Sequence, residues 1–230
     1  MRKPSLRKDA FVSLYTLVIG TKNWSSWSLR PWLLMRVKGI AFEEIEIPLR
    51  TEATKAAILA QSPAGQVPIL KIKNGPVIWD SLAIAEALAE RHPDLCLWPA
   101  SPDARARARC VSAEMHSGFR SLREQMPLDC LARVTDMAVS PETQKDIARI
   151  IALWSDCRAE FGAGGSFLFG GFSIADAMYA PVVLRFMTYG VGLPPPAHAY
   201  ADAILALPAL AQWLDGCAEW ERSRPAAARP

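Results

Sequence analysis

A change of pattern near residue 93 constrains the fold of this chain more than any other feature of its sequence. Residues 14–92 mix short β-rich runs with helical stretches, whereas only helical periodicity follows residue 103. The intervening residues 93–103 hold three prolines and few periodic apolar positions, which indicates an interdomain linker. The sequence therefore predicts a small α/β domain over residues 14–92 and an all-helical domain over residues 104–225.

The α/β domain has the predicted element order β-α-β-α-β-β-α. Strands are expected at residues 14–19, 42–47, 67–73 and 77–79, and helices at residues 31–38, 51–60 and 81–91. Asn74-Gly75 lies between the last two strands and is among the strongest sequence signals for a hairpin turn. The first half of the domain therefore implies a parallel β-α-β crossover, and the second half an antiparallel hairpin.

The second domain is expected to contain four helices. They are predicted at residues 104–125, 141–161, 173–187 and 208–222, with Pro194–Pro196 breaking the chain between the last two. Ser173 and Asp176 form a variant of the capping box, with Asp in place of the usual Glu, at the start of the third helix.

Charge and cysteine usage exclude several classes of protein. Four of the 26 basic residues and one of the 23 acidic residues lie in the first ten positions, so the remaining 220 carry equal numbers of both. The basic excess thus belongs to a predicted tail, residues 1–13, and we expect no nucleic-acid partner. No apolar run is long enough to span a membrane, and the tail lacks the apolar stretch of a signal peptide. Five scattered cysteines without a C-x-x-C pair indicate reduced thiols in a cytoplasmic protein and no metal site.

The first candidate site is the loop after the first strand, with the sequence NWSSWSLRP over residues 23–31. A helix N-terminus needs one serine as a cap, and capping is the simpler interpretation. Three serines beside an arginine and two tryptophans exceed that need. The alternative is that the loop holds a thiolate supplied by a ligand, because a hydroxyl donor and a helix N-terminus both favour a charged sulfur.

Two further motifs lie later in the same domain. Gln66-Val67-Pro68 opens the third strand, where a cis bond before the proline would leave the backbone of Val67 facing a ligand, although an ordinary bend is the alternative. Asp80-Ser81 begins the last helix of the domain, where a carboxylate and a hydroxyl suit a zwitterionic ligand end as well as a helix cap.

Together, and in this order, the three motifs resemble those of the glutathione S-transferase superfamily of the bacterial type. The resemblance covers residues 14–222. Within it, SSWSLRPWLL is similar to the SSCSWR segment of the zeta-class serine-type enzymes, with Trp27 where their cysteine stands, and FLFGGFSIADAMYAP is similar to the family's Ser-x-x-Asp segment.

The resemblance implies a thioredoxin-like first domain that binds glutathione as co-substrate. Ser25 matches the hydroxyl that donates to the glutathione sulfur, with Ser26 and Ser28 as alternatives. The expected glutathione-binding residues are Ser26, Ser28, Arg30, Gln66, Val67 and Pro68, with Asp80 and Ser81 at the γ-glutamyl end. The expected electrophile pocket, between this loop and the first long helix of the second domain, contains Trp24, Met115, His116, Phe119 and Arg123, of which the last four are spaced to share one helical face. Core packing is the alternative role for Met115 and Phe119.

The function implied is a glutathione transferase, in which a serine hydroxyl activates the glutathione thiolate for attack on a small hydrophobic electrophile. The alternatives are a glutathione-dependent cis–trans isomerase of the maleylacetoacetate isomerase kind and a non-catalytic interaction protein with the same fold. The resemblance also implies a homodimer. A thiol-disulfide oxidoreductase is disfavoured, since no cysteine lies in the first loop.

Overall fold

The computed structural model describes residues 13–223, so nearly all of the predicted basic tail and the last predicted residues of the helical domain lie outside the described part. The first domain has the predicted order βαβαββα. Its strands are β1 (Tyr15–Gly20), β2 (Glu43–Ile47), β3 (Ile69–Ile72) and β4 (Val77–Trp79), and its helices are α1 (Ser26–Val37), α2 (Thr54–Leu59) and α3 (Ser81–Arg91).

The four strands form one mixed sheet in the order β2-β1-β3-β4. β1 pairs parallel with β2 and antiparallel with β3, and β3 pairs antiparallel with β4, as the crossover and hairpin signals predict. Because β1 is an interior strand, its side chains are buried on both faces. Leu17 joins the core beneath α1 and α3, whereas Val18 packs with Ile58 of α2. β1 ends at Gly20 within this core, and the loop that precedes α1 follows directly.

The second domain is entirely helical, as predicted. It follows a short 3₁₀ turn (Pro93–Leu95) and contains α4 (Pro102–Ser117), α5 (Arg120–Gln125), α6 (Pro141–Phe161), α7 (Ile174–Thr188), α8 (Pro195–Leu205) and α9 (Pro208–Ser223). α7 is buried almost along its whole length and packs against α1, α4 and α8, so it joins the two domains. None of the helices within residues 13–223 has the length and apolar character needed to cross a bilayer.

Helix α1 begins at Ser26, whereas the sequence predicted its start at Pro31. The backbone N–H of Leu29 donates to the carbonyl oxygen of Ser25 at 3.1 Å, so the first turn forms around the serines themselves. Pro31 then lies in the second turn, where it removes one backbone hydrogen bond without ending the helix. The serines therefore belong to the first helical turn and not only to the loop.

Two predictions in the second domain were wrong. The expected single helix over residues 104–125 is two helices, because Gly118 is extended and Phe119 adopts a left-handed backbone with φ of 59°. The prolines at 194–196, interpreted as a break, instead begin helix α8. Proline is tolerated in a first turn, where its missing N–H would have no partner within the helix.

Candidate active site

The loop between β1 and α1 is fixed by the second domain. The side-chain amide of Asn23 donates to Asp129 at 2.9 Å, and its oxygen accepts the backbone N–H of Leu131 at 3.1 Å. The Asn23 carbonyl accepts the N–H of Cys130 at 3.2 Å. Asn23 is 4% exposed, so this network is shielded from water. The position of the serines thus depends on both domains.

The three serines of this segment have different partners. The hydroxyl of Ser25 donates to the oxygen of Ser28 at 2.7 Å, and the same Ser28 oxygen accepts the backbone N–H of Gly20 at 3.1 Å. Ser26 accepts from the guanidinium of Arg185 at 3.2 Å. All three are buried. Ser28 is therefore tied to the interior and Ser26 to the second domain, which leaves Ser25 the least committed.

Ser25 occupies the N-cap position of α1, but its side chain makes no hydrogen bond to the amides of the first turn. The simple capping role considered for this serine is thus not formed. The first-turn amides contribute partial positive charge at this end of the helix, which is the environment that stabilises a thiolate.

A groove brings the second and third motifs together with Trp27 of the first, although none of the three serines lines it. It is lined by Trp27, Gln66, Val67, Pro68, Asp80 and Ser81. The Val67-Pro68 bond is cis, as expected. Asp80 caps α3, since its Oδ1 accepts the backbone N–H groups of Leu82 and Ala83 at 2.9 and 3.1 Å. Residues far apart in the sequence therefore line one groove.

Trp27 is surrounded by cationic and aromatic side chains. The guanidinium carbons of Arg30 and Arg123 lie 4.2 and 4.7 Å from the centre of its ring, within the range of cation–π attraction. The ring of His116 meets it edge-on at 5.2 Å. Arg30 is 1% exposed, and burial together with Arg123 and Arg185 holds its pKa well below the usual value. Positive charge is thus concentrated at the junction of α1, α4 and α5.

Several polar atoms in this cluster have no hydrogen-bond partner. Nε and Nη2 of Arg30, Nη1 of Arg123 and Nδ1 of His116 are buried without a partner among the described residues. The remaining Arg30 nitrogen, Nη1, reaches only the Ser81 hydroxyl, at 3.5 Å. Buried polar groups are normally paired. Three of these atoms are guanidinium nitrogens, which are donors that a carboxylate accepts from.

Arg185 is a residue of the site that sequence reasoning missed. It lies on α7 and donates through Nε to the carbonyl of Met126 at 2.8 Å and through Nη2 to Ser26. Burial, and then Arg123, lowers its pKa to about 10. The available signal was a single arginine within an otherwise apolar helical stretch, because charged side chains are seldom buried without a specific role.

The predicted electrophile-pocket residues divide into two groups. His116 and Arg123 meet at Trp27, whereas Met115 is fully buried and Phe119 is 7% exposed, which fits the core-packing alternative. The four do not share one helical face, because the chain breaks between α4 and α5. Trp24 also lies apart, with Trp220 of α9 at 4.8 Å and the Arg50 guanidinium at 4.2 Å from its ring.

Comparison with known proteins matches each of the two domains to a described family. Residues 24–91 match the family described as "Glutathione S-transferase, N-terminal domain", and residues 102–216 match "Glutathione S-transferase, C-terminal domain". A rat protein named maleylacetoacetate isomerase is 33% identical over 192 residues, which cover 80% of this chain and 86% of the rat protein. A probable maleylacetoacetate isomerase of Caenorhabditis elegans is 36% identical over 107 residues, 46% of this chain, and the match spans only half of the nematode protein.

A solved structure agrees with the fold. The crystal structure of a Burkholderia glutathione transferase homolog with bound glutathione superposes with a TM-score of 0.67 and 24% identity. The match covers 89% of this chain and 98% of the Burkholderia chain. A thioredoxin-like domain followed by a helical domain, as expected from the motifs, is the architecture that the two share.

Proposed function

We infer the activity of this chain from the family to which it belongs, the glutathione S-transferases, enzymes that use glutathione as co-substrate. Its relatives in this family include proteins named maleylacetoacetate isomerase. We propose that it is a glutathione-dependent cis–trans isomerase, and that its substrate is a carboxylate-bearing alkene conjugated to a carbonyl group, of which maleylacetoacetate is the example. Direct conjugation, the function favoured by the motifs alone, becomes the second candidate.

The single observation that carries this proposal is the group of unpartnered guanidinium nitrogens around Trp27. Arg30 is almost fully buried and two of its three nitrogens lack an acceptor among the described residues. An uncharged hydrophobic substrate would leave these donors unpaired, whereas a carboxylate accepts two parallel hydrogen bonds from one guanidinium. Arg30 and Arg123 are therefore the residues that we assign to the substrate carboxylate.

Ser25 is the residue that we assign to the sulfur. When glutathione occupies the groove, the Ser25 hydroxyl turns its proton from Ser28 to the thiolate, while the Ser28 hydroxyl can donate to Ser25 over the same 2.7 Å. Lowering a thiol pKa by two units requires about 2.7 kcal/mol. One charge-assisted hydrogen bond together with a helix N-terminus supplies a free energy of that size.

The proposed reaction needs no thiol from the protein. The glutathione thiolate adds to one carbon of the cis double bond, and the electron pair moves to the conjugated oxygen as an enolate. Rotation about the new single bond and expulsion of the thiolate then give the trans alkene and return glutathione unchanged. The tryptophan that stands in place of a cysteine at position 27 is compatible with this scheme.

The test is isomerisation of maleylacetoacetate by the purified chain, with the cis and trans isomers separated by chromatography. We expect turnover only with glutathione present, and a fall of about 100-fold in kcat for Ser25→Ala, since one charge-assisted hydrogen bond to the sulfur is lost. Ser117→Ala, at an exposed position in the last turn of α4, is the control. Absence of glutathione-dependent turnover by the unmodified chain would refute the isomerase proposal, and unchanged activity of Ser25→Ala would refute the serine assignment.

Conjugation of an uncharged electrophile is the second candidate, and Trp27 favours it because an aromatic wall suits an apolar substrate. An uncharged aryl halide assayed in parallel separates the two. Faster turnover of the halide than of the carboxylated alkene would select conjugation. Failure of both, with glutathione still bound, would select the non-catalytic protein. Homodimer formation and a cytoplasmic location stay predictions.

A further inference from the structure

His116 joins the second domain to the glutathione groove. It lies in the last turn of α4, and its Nε2 is 3.1 Å from Oδ2 of Asp80, the residue that caps α3. The two side chains are 27% and 36% exposed, so the contact is partly shielded from water. Asp80 lines the groove, and the sequence resemblance implies that the γ-glutamyl end of glutathione, which carries its amino group, lies beside it.

The carboxylate of Asp80 has one acceptor position left. A carboxylate offers about four lone-pair positions. Oδ1 uses its two on the N–H groups of Leu82 and Ala83, and Oδ2 uses one on His116. Within residues 13–223, a single lone pair on Oδ2 is therefore available to an ammonium group.

The backbone of Asp80 is strained, so contacts of its side chain must hold the residue and thereby set the direction of the free lone pair. Its φ is 76°, a region that residues with a side chain seldom adopt and that surrounding contacts must hold. The helix cap fixes Oδ1, and His116 fixes Oδ2. We infer that His116 is a positioning residue for the amino end of glutathione, which it serves by orienting the free oxygen of Asp80 across the domain interface. This inference rests on the proposed function.

The surroundings of His116 suit this role. Asp80 at the N-cap of α3, Arg30 and Trp27 of α1 and Arg123 of α5 face its ring. Burial lowers the pKa of His116, and Arg30 and Arg123 lower it further, while Asp80 opposes the shift. At pH 7 the ring is therefore neutral, and it donates one N–H without cancelling the charge of Asp80. Protonated His116 would instead compete with the ammonium group for the same carboxylate.

The affinity for glutathione should depend on pH in one direction. Because a protonated His116 and the ammonium group compete for Asp80, affinity for glutathione falls as the pH falls through the lowered pKa of His116. The loss cannot exceed about tenfold per pH unit, since one proton is involved.

The experiment compares two ligands on four proteins. The ligands are glutathione and an analogue in which the amino group of the γ-glutamyl residue is replaced by hydrogen, and dissociation constants are measured by calorimetry at pH 7.5 and 5.5. His116→Phe keeps a ring against Trp27 but removes the donor, whereas His116→Gln keeps an N–H donor and cannot titrate. His198→Phe is the matched control, because His198 forms an exposed pair with Asp202 at 2.9 Å in helix α8.

At pH 7.5 we expect the unmodified chain to prefer glutathione over the analogue by roughly tenfold or more, the range of one charge-assisted contact. His116→Phe should lose most of that preference, and His116→Gln should retain part of it without dependence on pH. His198→Phe should match the unmodified chain. Equal loss of affinity for both ligands in His116→Phe, or full retention of the preference, would overturn the inference. Failure of the unmodified chain to bind either ligand would overturn the proposed function itself.

Discussion

Replacing Arg30 with methionine tests whether the buried guanidinium exists for substrate or for stability. Arg30 is 1% exposed, and its one hydrogen bond is long, at 3.5 Å to Ser81. Burying a charge without full pairing costs several kcal/mol, and substitution by a well-packed apolar residue is neutral or stabilising by about 1–4 kcal/mol. Loss of the contact with Trp27 offsets about 1–2 kcal/mol of that gain.

The expected result is a stable but impaired protein. The free energy of unfolding of Arg30→Met should be unchanged or higher by up to about 2 kcal/mol, which raises Tm by roughly 2–4 °C per kcal/mol at this size. The kcat/KM for the carboxylated alkene should fall by about 30- to 100-fold, the equivalent of one charge-assisted interaction. An uncharged electrophile should lose much less.

The assays are urea denaturation and parallel kinetics with the two substrates. Maleate serves as a probe of the carboxylate site, because a bound anion at free concentration L stabilises the unmodified chain by RT ln(1 + L/Kd) and should not stabilise the variant. Arg36→Met is the control, since Arg36 lies on the same helix over Trp32 but is exposed. A loss of more than about 2 kcal/mol in Arg30→Met, or an equal fall in activity with both substrates, would refute the reasoning.

The remaining predictions concern helix α7. Asp176→Asn should lower the free energy of unfolding by about 2 kcal/mol, because the carboxylate accepts the N–H of Leu168 at 3.0 Å and of Ser173 at 2.8 Å and an amide can satisfy only one of them. Burial raises the pKa of Asp176 to about 6, so the folded state retains a proton that the unfolded state releases near pH 3.8. The free energy of unfolding of the unmodified chain should therefore fall as the pH rises from about 4 to about 6. Denaturation followed across this range should show a shallower slope in the variant. Arg185→Gln should lower stability by about 1–3 kcal/mol and reduce activity by freeing Ser26, measured by thermal unfolding and by kcat, and a variant with unchanged kcat would exclude a part for Arg185 in the site.

The first domain was predictable because its signals are local. Asn74-Gly75 set the hairpin, and alternating and helical periodicities gave the element order. The errors arose where proline and glycine have positional meanings. The sequence pattern predicts a helix start at Pro31, which lies in the second turn, and a break at Pro194–Pro196, where a helix starts. Gly118 divides the predicted long helix because its neighbour Phe119 turns into the core, which no local pattern shows.

The site was predictable motif by motif but not as an electrostatic arrangement. The sequence identified His116 and Arg123 from helical spacing, yet that spacing fails at the break between α4 and α5. They nevertheless meet at Trp27 of α1, because tertiary packing brings that ring to both side chains. The contact of Arg185 with Ser26 joins residues 159 positions apart, so tertiary packing alone determines it.

The hydrogen bonds of Asn23 mean that the two domains cannot be exchanged independently between relatives. The loop before α1 takes its shape from Asp129, Cys130 and Leu131, which lie more than a hundred positions later in the chain. A chimera that joins this first domain to the helical domain of a relative would therefore keep the serines but lose the hydrogen bonds that fix their loop. Residues 21–25 and 129–131 should therefore be exchanged together. Recombination between them should give a protein that folds correctly but is inactive.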